Sequence, residues 1–287
     1  FTMYQGTTLG GTDTVTDNGG TDGMTFENLN NVNLKLVLGS PDTITVKEGT
    51  TFDQGTTTAT VSFTNIENLY LQDSVGGASE KLSVTLSGSG TNAVLAGTSS
   101  GDTLTLASVT YNASQIWGQQ GADTITGGAG IDTIRGGGGA DIIKGNAGQD
   151  FIYGGAGADD IFFTNQSHYG ANFAASKHDT IYAFTTTSDE MKFSGANFTG
   201  VAENDTITKT TSKTGNADLV VAAWNGATVS AGHANQRFIY DTSMGRLYYD
   251  GDGSDGVSTI LMLANLTDAA GINPIADLAA DDIDIVA

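Results

Sequence analysis

The sequence predicts an all-β protein, a parallel β-roll or β-solenoid with a C-terminal β capping region. Three observations carry this. A nine-residue unit recurs five times without a gap from Gly118. Upstream of it, alternating runs such as NVNLKLVL and KLSVTLSG have the period of strands with one buried face. The composition, 40 Gly and 2 Pro with abundant Thr and Asn, suits strands joined by tight turns.

The repeats read GQQGADTIT, GGAGIDTIR, GGGGADIIK, GNAGQDFIY and GGAGADDIF. Positions 1 and 4 are always Gly, position 6 always Asp and position 8 always Ile. Glycine at positions 1, 4 and often 2 is expected to take positive φ and make a tight turn whose carbonyl oxygens point inward. The last three residues are extended, and Ile at position 8 faces a core. A three-residue strand cannot stand alone, so successive strands stack and two nonads make one coil of eighteen residues. Ile125, Ile143 and Ile161 are then expected on one sheet and Ile134 and Ile152 on the other.

The acids stack in the same way, Asp123, Asp141 and Asp159 in one column and Asp132 and Asp150 in the other. Coils about 4.8 Å apart bring carboxylates to about 5 Å, where they repel by roughly 3 kcal/mol at an effective dielectric near 20. A core one Ile thick does not comfortably offset that. A hard divalent cation between turns removes the repulsion and uses the carbonyls; oxygen donors without His or Cys in flexible loops select calcium.

The flanking parts are less regular. Residues 1–116 read as a degenerate β-solenoid or β-repeat region. FENLNNVNL at 26–34 and FTNIENLYL at 63–71 share F-x-N-U-x-N-U-x-L, where U is aliphatic. Asn28, Asn31, Asn65 and Asn68 within them suit turns or ladders. D-T-U-T recurs from Asp13, Asp42, Asp102 and Asp123, and GTSSGDTLT keeps Gly97, Asp102 and Leu104 in nonad phase. The β-roll is assigned to 117–163. Residues 164–287 read as a β cap, in which FIYDTSMGRLYYD is a hairpin turning at Gly245. Trp117 and Trp224 are read as core or capping residues.

The chain has 287 residues, 32 acids against 11 Lys and Arg, and a formal net charge of -21. That excludes a nucleic-acid or anionic-membrane surface as the main partner and favours cations. There is no cysteine, hence no disulfide or thiolate metal site. No apolar run approaches the roughly 18 residues of a membrane span. The opening FTMYQGTTLG has neither initiator Met nor signal peptide, so a piece of a longer protein is expected.

Residues 118–162 resemble the calcium-binding β-rolls of the RTX family, whose nonapeptide is G-G-x-G-x-D-x-U-x. The resemblance implies calcium ligands among the turn residues Gly118, Gly121, Gly127, Gly128, Gly130, Gly136, Gly137, Gly139, Gly145, Asn146, Gly148, Gly154, Gly155 and Gly157. It adds the carboxylates of Asp123, Asp132, Asp141, Asp150 and Asp159, and several ions are implied. Gln119 and Asn146 depart from Gly at position 2, where any residue still offers a carbonyl. Asp102, in the degenerate nonad, and Asp250 and Asp252, in DGDGSDG, are further metal candidates. The segment after the repeats is similar to the closing segment of β-rolls in serralysin-type proteases and alginate epimerases. DIDIVA is similar to the C-termini of type I secretion substrates.

Other patterns are weaker. DGDGSDG fails as an EF-hand because Asp255 stands where Gly is needed and Leu261 where the last Glu should be, so a solvated turn is the plainer reading. Gly251–Gly256 fits G-x-G-x-x-G, but no helix pattern follows. Gly97–Gly101 fits G-x-S-x-G, but Ser99 lies between β patterns instead of a strand and a helix. His168, His178 and His233 are scattered. No catalytic constellation emerges, and no enzyme is expected within this stretch. The expected function is a calcium-folded structural module of a secreted bacterial surface protein, an S-layer protein or a large adhesin. It would be exported unfolded by type I secretion machinery and self-associate in a lattice or anchor at the cell surface. The alternative is the secretion and folding module of an RTX protease, lipase or epimerase whose catalytic domain lies upstream.

Overall fold

The computed structural model describes strand segments between residues 2 and 96, residues 97, 99 and 101–109, then 113–171, 178–202, 207–210, 218–223, 236–252, 260–275 and 277–287. The described residues are nearly all β, with two short 3-10 helices, Gln166–His168 and Ala280–Asp282, and no α-helix. The chain divides into two compact units, Phe1–Ile143 and Lys144–Ala287.

In the first unit two sheets grow by one strand each per coil. One runs, all parallel, through Thr2–Tyr4, Asp22–Glu27, Ile66–Leu71, Asn92–Ala96, Ala113–Gln120 and Ile131–Gly138. The other contains Lys35–Gly39, Ser83–Gly88, Thr103–Val109 and Thr124–Thr126, again parallel. The register puts one aliphatic residue of each strand against the next: Leu69, Leu95, Ile116 and Ile134 in one ladder, Leu36, Val84, Leu104 and Ile125 in the other. Leu95, Leu104, Ile116, Ile125, Ile134 and Ile143 are fully buried. This is the core the position-8 Ile predicts.

The upstream strands are not a uniform solenoid. Lys35–Gly39, Thr43–Glu48 and Thr57–Ser62 form an antiparallel meander inside the second sheet. Phe26 lies within the strand Asp22–Glu27, opposite Leu71, and Phe63 lies outside the described residues. D-T-U-T is equivalent from Asp102 and Asp123, where Thr103, Leu104 and Thr105 face Thr124, Ile125 and Thr126. Of the four asparagines only Asn68 falls on a described strand; the others, like Trp224, Asp255 and His233, lie outside the described residues.

The second unit opens with the last two nonads, and coil winding does not stop at Phe163. Phe151–Ala156 pairs in parallel with Asp179–Tyr182, Ile152 opposite Ile181. Asp160–Phe163 pairs in parallel with Glu190–Ser194, Ile161 opposite Met191. The nine-residue period is lost because residues between Phe163 and Asp179 lengthen the coil, while strand register is kept. Beyond these, Leu261–Thr267, Arg246–Tyr249, Phe238–Asp241, Leu219–Ala222 and Lys209–Thr210 extend one sheet, and Ile283–Val286 closes the other beside Glu190–Ser194. The expected hairpin is present, with Phe238 opposite Tyr249 and Gly245 at φ +69. An aromatic core fills this unit: Phe163 stacks on Phe193 at 4.7 Å, and Phe198 and Tyr249 meet edge to face at 5.0 Å. Lys192 bridges Asp160, Glu190 and Asp284 across three adjacent strands, which fastens the C-terminal strand.

Candidate metal centre

Each nonad turn is shaped by where it needs a left-handed backbone and where it needs room. Positions 2 and 4 take positive φ in four nonads: Gln119 +80 and Gly121 +102, Gly137 +116 and Gly139 +133, Asn146 +70 and Gly148 +143, Gly155 +115 and Gly157 +145. Gln119 and Asn146 therefore adopt the backbone of the glycines they replace, Asn more readily than Gln.

Position 1 is Gly for a different reason. Gly118, Gly145 and Gly154 have no positive φ. A Cβ on Gly118 would instead meet the Asp123 carboxylate and lie 2.5 Å from the Gly136 carbonyl oxygen. A Cβ on Gly154 would lie 2.5 Å from Asp159 Oδ2, and one on Gly145 would strike Asp150. The open face of the first glycine thus receives the position-6 carboxylate of its own nonad. Positive φ at position 1 was expected; the requirement there is space.

The carboxylates are buried and joined along the stack. Asp102, Asp123, Asp132, Asp141, Asp150 and Asp159 are each at most 2% exposed. In the first unit Asp102 N donates to Asp123 Oδ1 at 2.6 Å, and Asp123 N to Asp141 Oδ1 at 2.8 Å. Carbonyls follow the same step: Thr124 N donates to Asp102 O at 2.7 Å and Ile142 N to Asp123 O at 2.8 Å. In the other column, Gly128 N donates to Asp132 Oδ2 at 2.7 Å. Asp123, Asp132 and Asp141 therefore each spend one oxygen on a backbone N–H group. One oxygen of every position-6 carboxylate, Asp123 Oδ2, Asp132 Oδ1, Asp141 Oδ2, Asp150 Oδ2 or Asp159 Oδ2, is buried without accepting a hydrogen bond.

That electrostatic situation raises the acids. Burial pushes Asp123 up to about 7; the hydrogen bond from Asp102 N opposes it, and the charges of Asp102 and Asp141 add to it. Burial lifts Asp132 to about 6 against hydrogen bonds from Gly128 and Ser114. Asp141 is raised by burial, with the Asp123 N–H opposing. No group of three or more His, Cys, Asp or Glu converges among the described residues. A cation here would draw on fewer than three carboxylates and take its remaining ligands from carbonyl oxygens. This donor set, hard and all oxygen, fits calcium.

Residues 117–151 and the overlapping 135–165 match the family model of the RTX calcium-binding nonapeptide repeat. These residues are RTX repeats. RTX nonapeptide repeats bind calcium ions, several per repeat region. No curated protein matches the chain. RTX repeat proteins are typically secreted, and among the described residues no helix is long and apolar enough to cross a membrane.

Two carboxylates join the columns from outside the motif. Asp150 N donates to Asp179 Oδ1 at 3.0 Å, and Asp159 N to Asp189 Oδ1 at 3.2 Å, repeating the step seen between nonads. Both are protein-bonded at the second oxygen: Tyr169 Oη donates to Asp179 Oδ2 at 3.4 Å, and Thr185 N to Asp189 Oδ2 at 2.7 Å. The signal was present as Asp179-Thr180-Ile181 and Asp189-Glu190-Met191, which keep D-x-U without the glycines. Of the remaining candidates, Asp102 lies in the first unit's column. Asp250 is buried at the end of the hairpin and accepts from Asp252 N at 3.3 Å, a turn contact.

Proposed function

We propose that Asp123, Asp132, Asp141, Asp150 and Asp159, with carbonyls of the glycine-rich turns around them, hold calcium between successive coils, and that this calcium drives folding of the chain outside the cell. The observation that carries the reading is the repeated buried carboxylate with one oxygen that accepts no hydrogen bond, the other being held by a backbone N–H in Asp123, Asp132 and Asp141. Calcium, when bound, supplies the positive charge that these stacked acids lack. The residues do the rest. Backbone N–H groups hold the Asp123, Asp132 and Asp141 carboxylates, the position-1 glycines Gly118, Gly145 and Gly154 make room for those of Asp123, Asp150 and Asp159, and in four of the five nonads left-handed residues at positions 2 and 4 turn the carbonyls. In low calcium the like charges oppose stacking, so the chain stays export-competent for type I secretion machinery.

The wider role we propose is structural, in a secreted surface protein of the S-layer or adhesin type. Residues 1–116 serve as a β-repeat stalk, 117–163 as the calcium roll and 164–287 as the cap. The Thr-rich upstream strands, stacked on the same ladders as the roll, support this, as does a net charge suited to divalent bridging. Fractionation of the producing cells tests it. Full-length protein on the cell surface, released by chelator, is the expected result. Hydrolase or epimerase activity of the full-length chain in the medium would replace it with the enzyme-module reading.

A further inference from the structure

We infer that the calcium stack of the first unit ends at Gln119, whose side-chain amide closes the rung between residues 97–102 and 118–123 in place of a metal ion. The inference rests on the proposed assignment of calcium to the nonad turns.

The rung is otherwise built like its neighbour. Asp102 is buried, its N–H reaches Asp123 Oδ1, and its carbonyl accepts from Thr124 N. A Cβ on Gly97 would lie 2.5 Å from Asp102 Oδ2 and 2.7 Å from the Gly118 carbonyl, the same cradle as at Gly118. Two features break the likeness. Gln119 Nε2 donates to the Gly97 carbonyl at 2.6 Å. An amide N–H thus occupies a position-1 turn carbonyl that a cation would need. Independently, the sequence places Thr98 and Ser100 at positions 2 and 4 of the upstream nonad, where four of the five regular nonads carry residues with positive φ. A β-branched Thr is among the residues least able to adopt that backbone. At this rung the Gln119 amide supplies the donor that meets the Gly97 carbonyl.

The test is calcium counting by titration calorimetry, with melting in saturating calcium as a second readout. In Gln119→Asn the shorter amide no longer reaches Gly97, while Asn suits the left-handed backbone, as at Asn146. We expect an unchanged number of calcium ions and a melting temperature in saturating calcium lower by roughly 2–4 °C, the equivalent of one lost hydrogen bond. Loss of one ion would overturn the inference by making Gln119 a calcium ligand through its oxygen. An unchanged melting temperature would overturn it by showing that the amide closes nothing. The combined variant Thr98→Gly, Ser100→Gly, Gln119→Gly restores the regular turn and should bind one ion more than the parent; the parent's number would contradict the account. If calcium titration of the parent shows no binding at all, the underlying calcium assignment fails, which is distinct from either result.

Discussion

Replacing Asp123 by Asn should have opposite effects with and without calcium. Asn is nearly isosteric, and its Oδ1 can keep the hydrogen bond from Asp102 N at 2.6 Å. What changes is the charge. Asp123 stands between Asp102 and Asp141, and burial together with those two neighbours lifts it to about 7. At about pH 8 it is largely ionised in the metal-free fold. One neighbouring carboxylate at about 5 Å costs roughly 3 kcal/mol at an effective dielectric near 20. Proton uptake and solvent at the turn reduce this, so we expect a net gain of about 1–2 kcal/mol on removing the charge. In chelator at about pH 8, Asp123→Asn should melt roughly 3–6 °C above the parent. In calcium the order reverses. A site held at ten times its dissociation constant contributes about 1.4 kcal/mol, and Asp123 borders the turns on either side of it. Thermal melts of both proteins in both buffers decide the matter. A variant less stable than the parent in chelator would refute the repulsion argument, and one equally stabilised by calcium would refute the ligand assignment.

Other predictions follow from the same geometry. Gly118→Ala should cost about 1–3 kcal/mol, because the new Cβ meets the Asp123 carboxylate and the Gly136 carbonyl; urea melts measure it. Asp141→Ala should raise the calcium midpoint of folding more than Asp102→Ala, since only Asp141 belongs to a regular nonad; equal midpoints would show the register or ligand choice to be wrong. Asp189→Asn keeps one acceptor oxygen and turns its NH2 either toward Thr185 N or toward Asp159 N and Ser188 Oγ, so it should lose about 1–3 kcal/mol by the same amount in calcium and in chelator. The pH dependence should also differ between metal states. A carboxylate raised above its unfolded value stabilises the fold at low pH and loses that contribution as pH rises through its folded value. With Asp123 near 7 and Asp132 near 6, the calcium-free protein should melt higher at about pH 5 than at about pH 8, and calcium-saturated protein, where protons compete with the ion, should show the reverse. Deleting residues 278–287 removes the buried Leu278, Ile283 and Ile285 and should lower stability; unimpaired export of the truncated chain would leave the segment a docked strand without an address role.

The roll was legible because its constraints are local and periodic. Ile at position 8 and Asp at position 6 fix both the core ladder and the acid columns, and both are found where that phase puts them. The hairpin at Gly245 was legible for the same reason, a turn residue between two alternating runs. Asp179 and Asp189 were not, because a longer connection hides the phase and Thr185 and Ser188 do the work that glycines do in the nonads. The role of Gly118 is not legible, since nothing in a sequence says that a carboxylate five residues on will fill its open face. The antiparallel meander at 35–62 was hidden as well, because alternation fixes a strand's buried face and leaves its direction open. Gln119 looked like a tolerated departure from the repeat, and only its reach to Gly97 gives it a purpose.

The most direct test of the central claim is the circular dichroism spectrum and melting curve of this chain, purified and compared in excess chelator and in millimolar calcium. Several sites, each contributing about 1.4 kcal/mol at tenfold excess of calcium, together rival the whole stability of an ordinary domain. The account predicts a chain poor in β structure, or melting at low temperature, without metal, and a cooperative β fold once calcium is added. An unchanged β spectrum and an unchanged melting temperature after complete metal removal would contradict it.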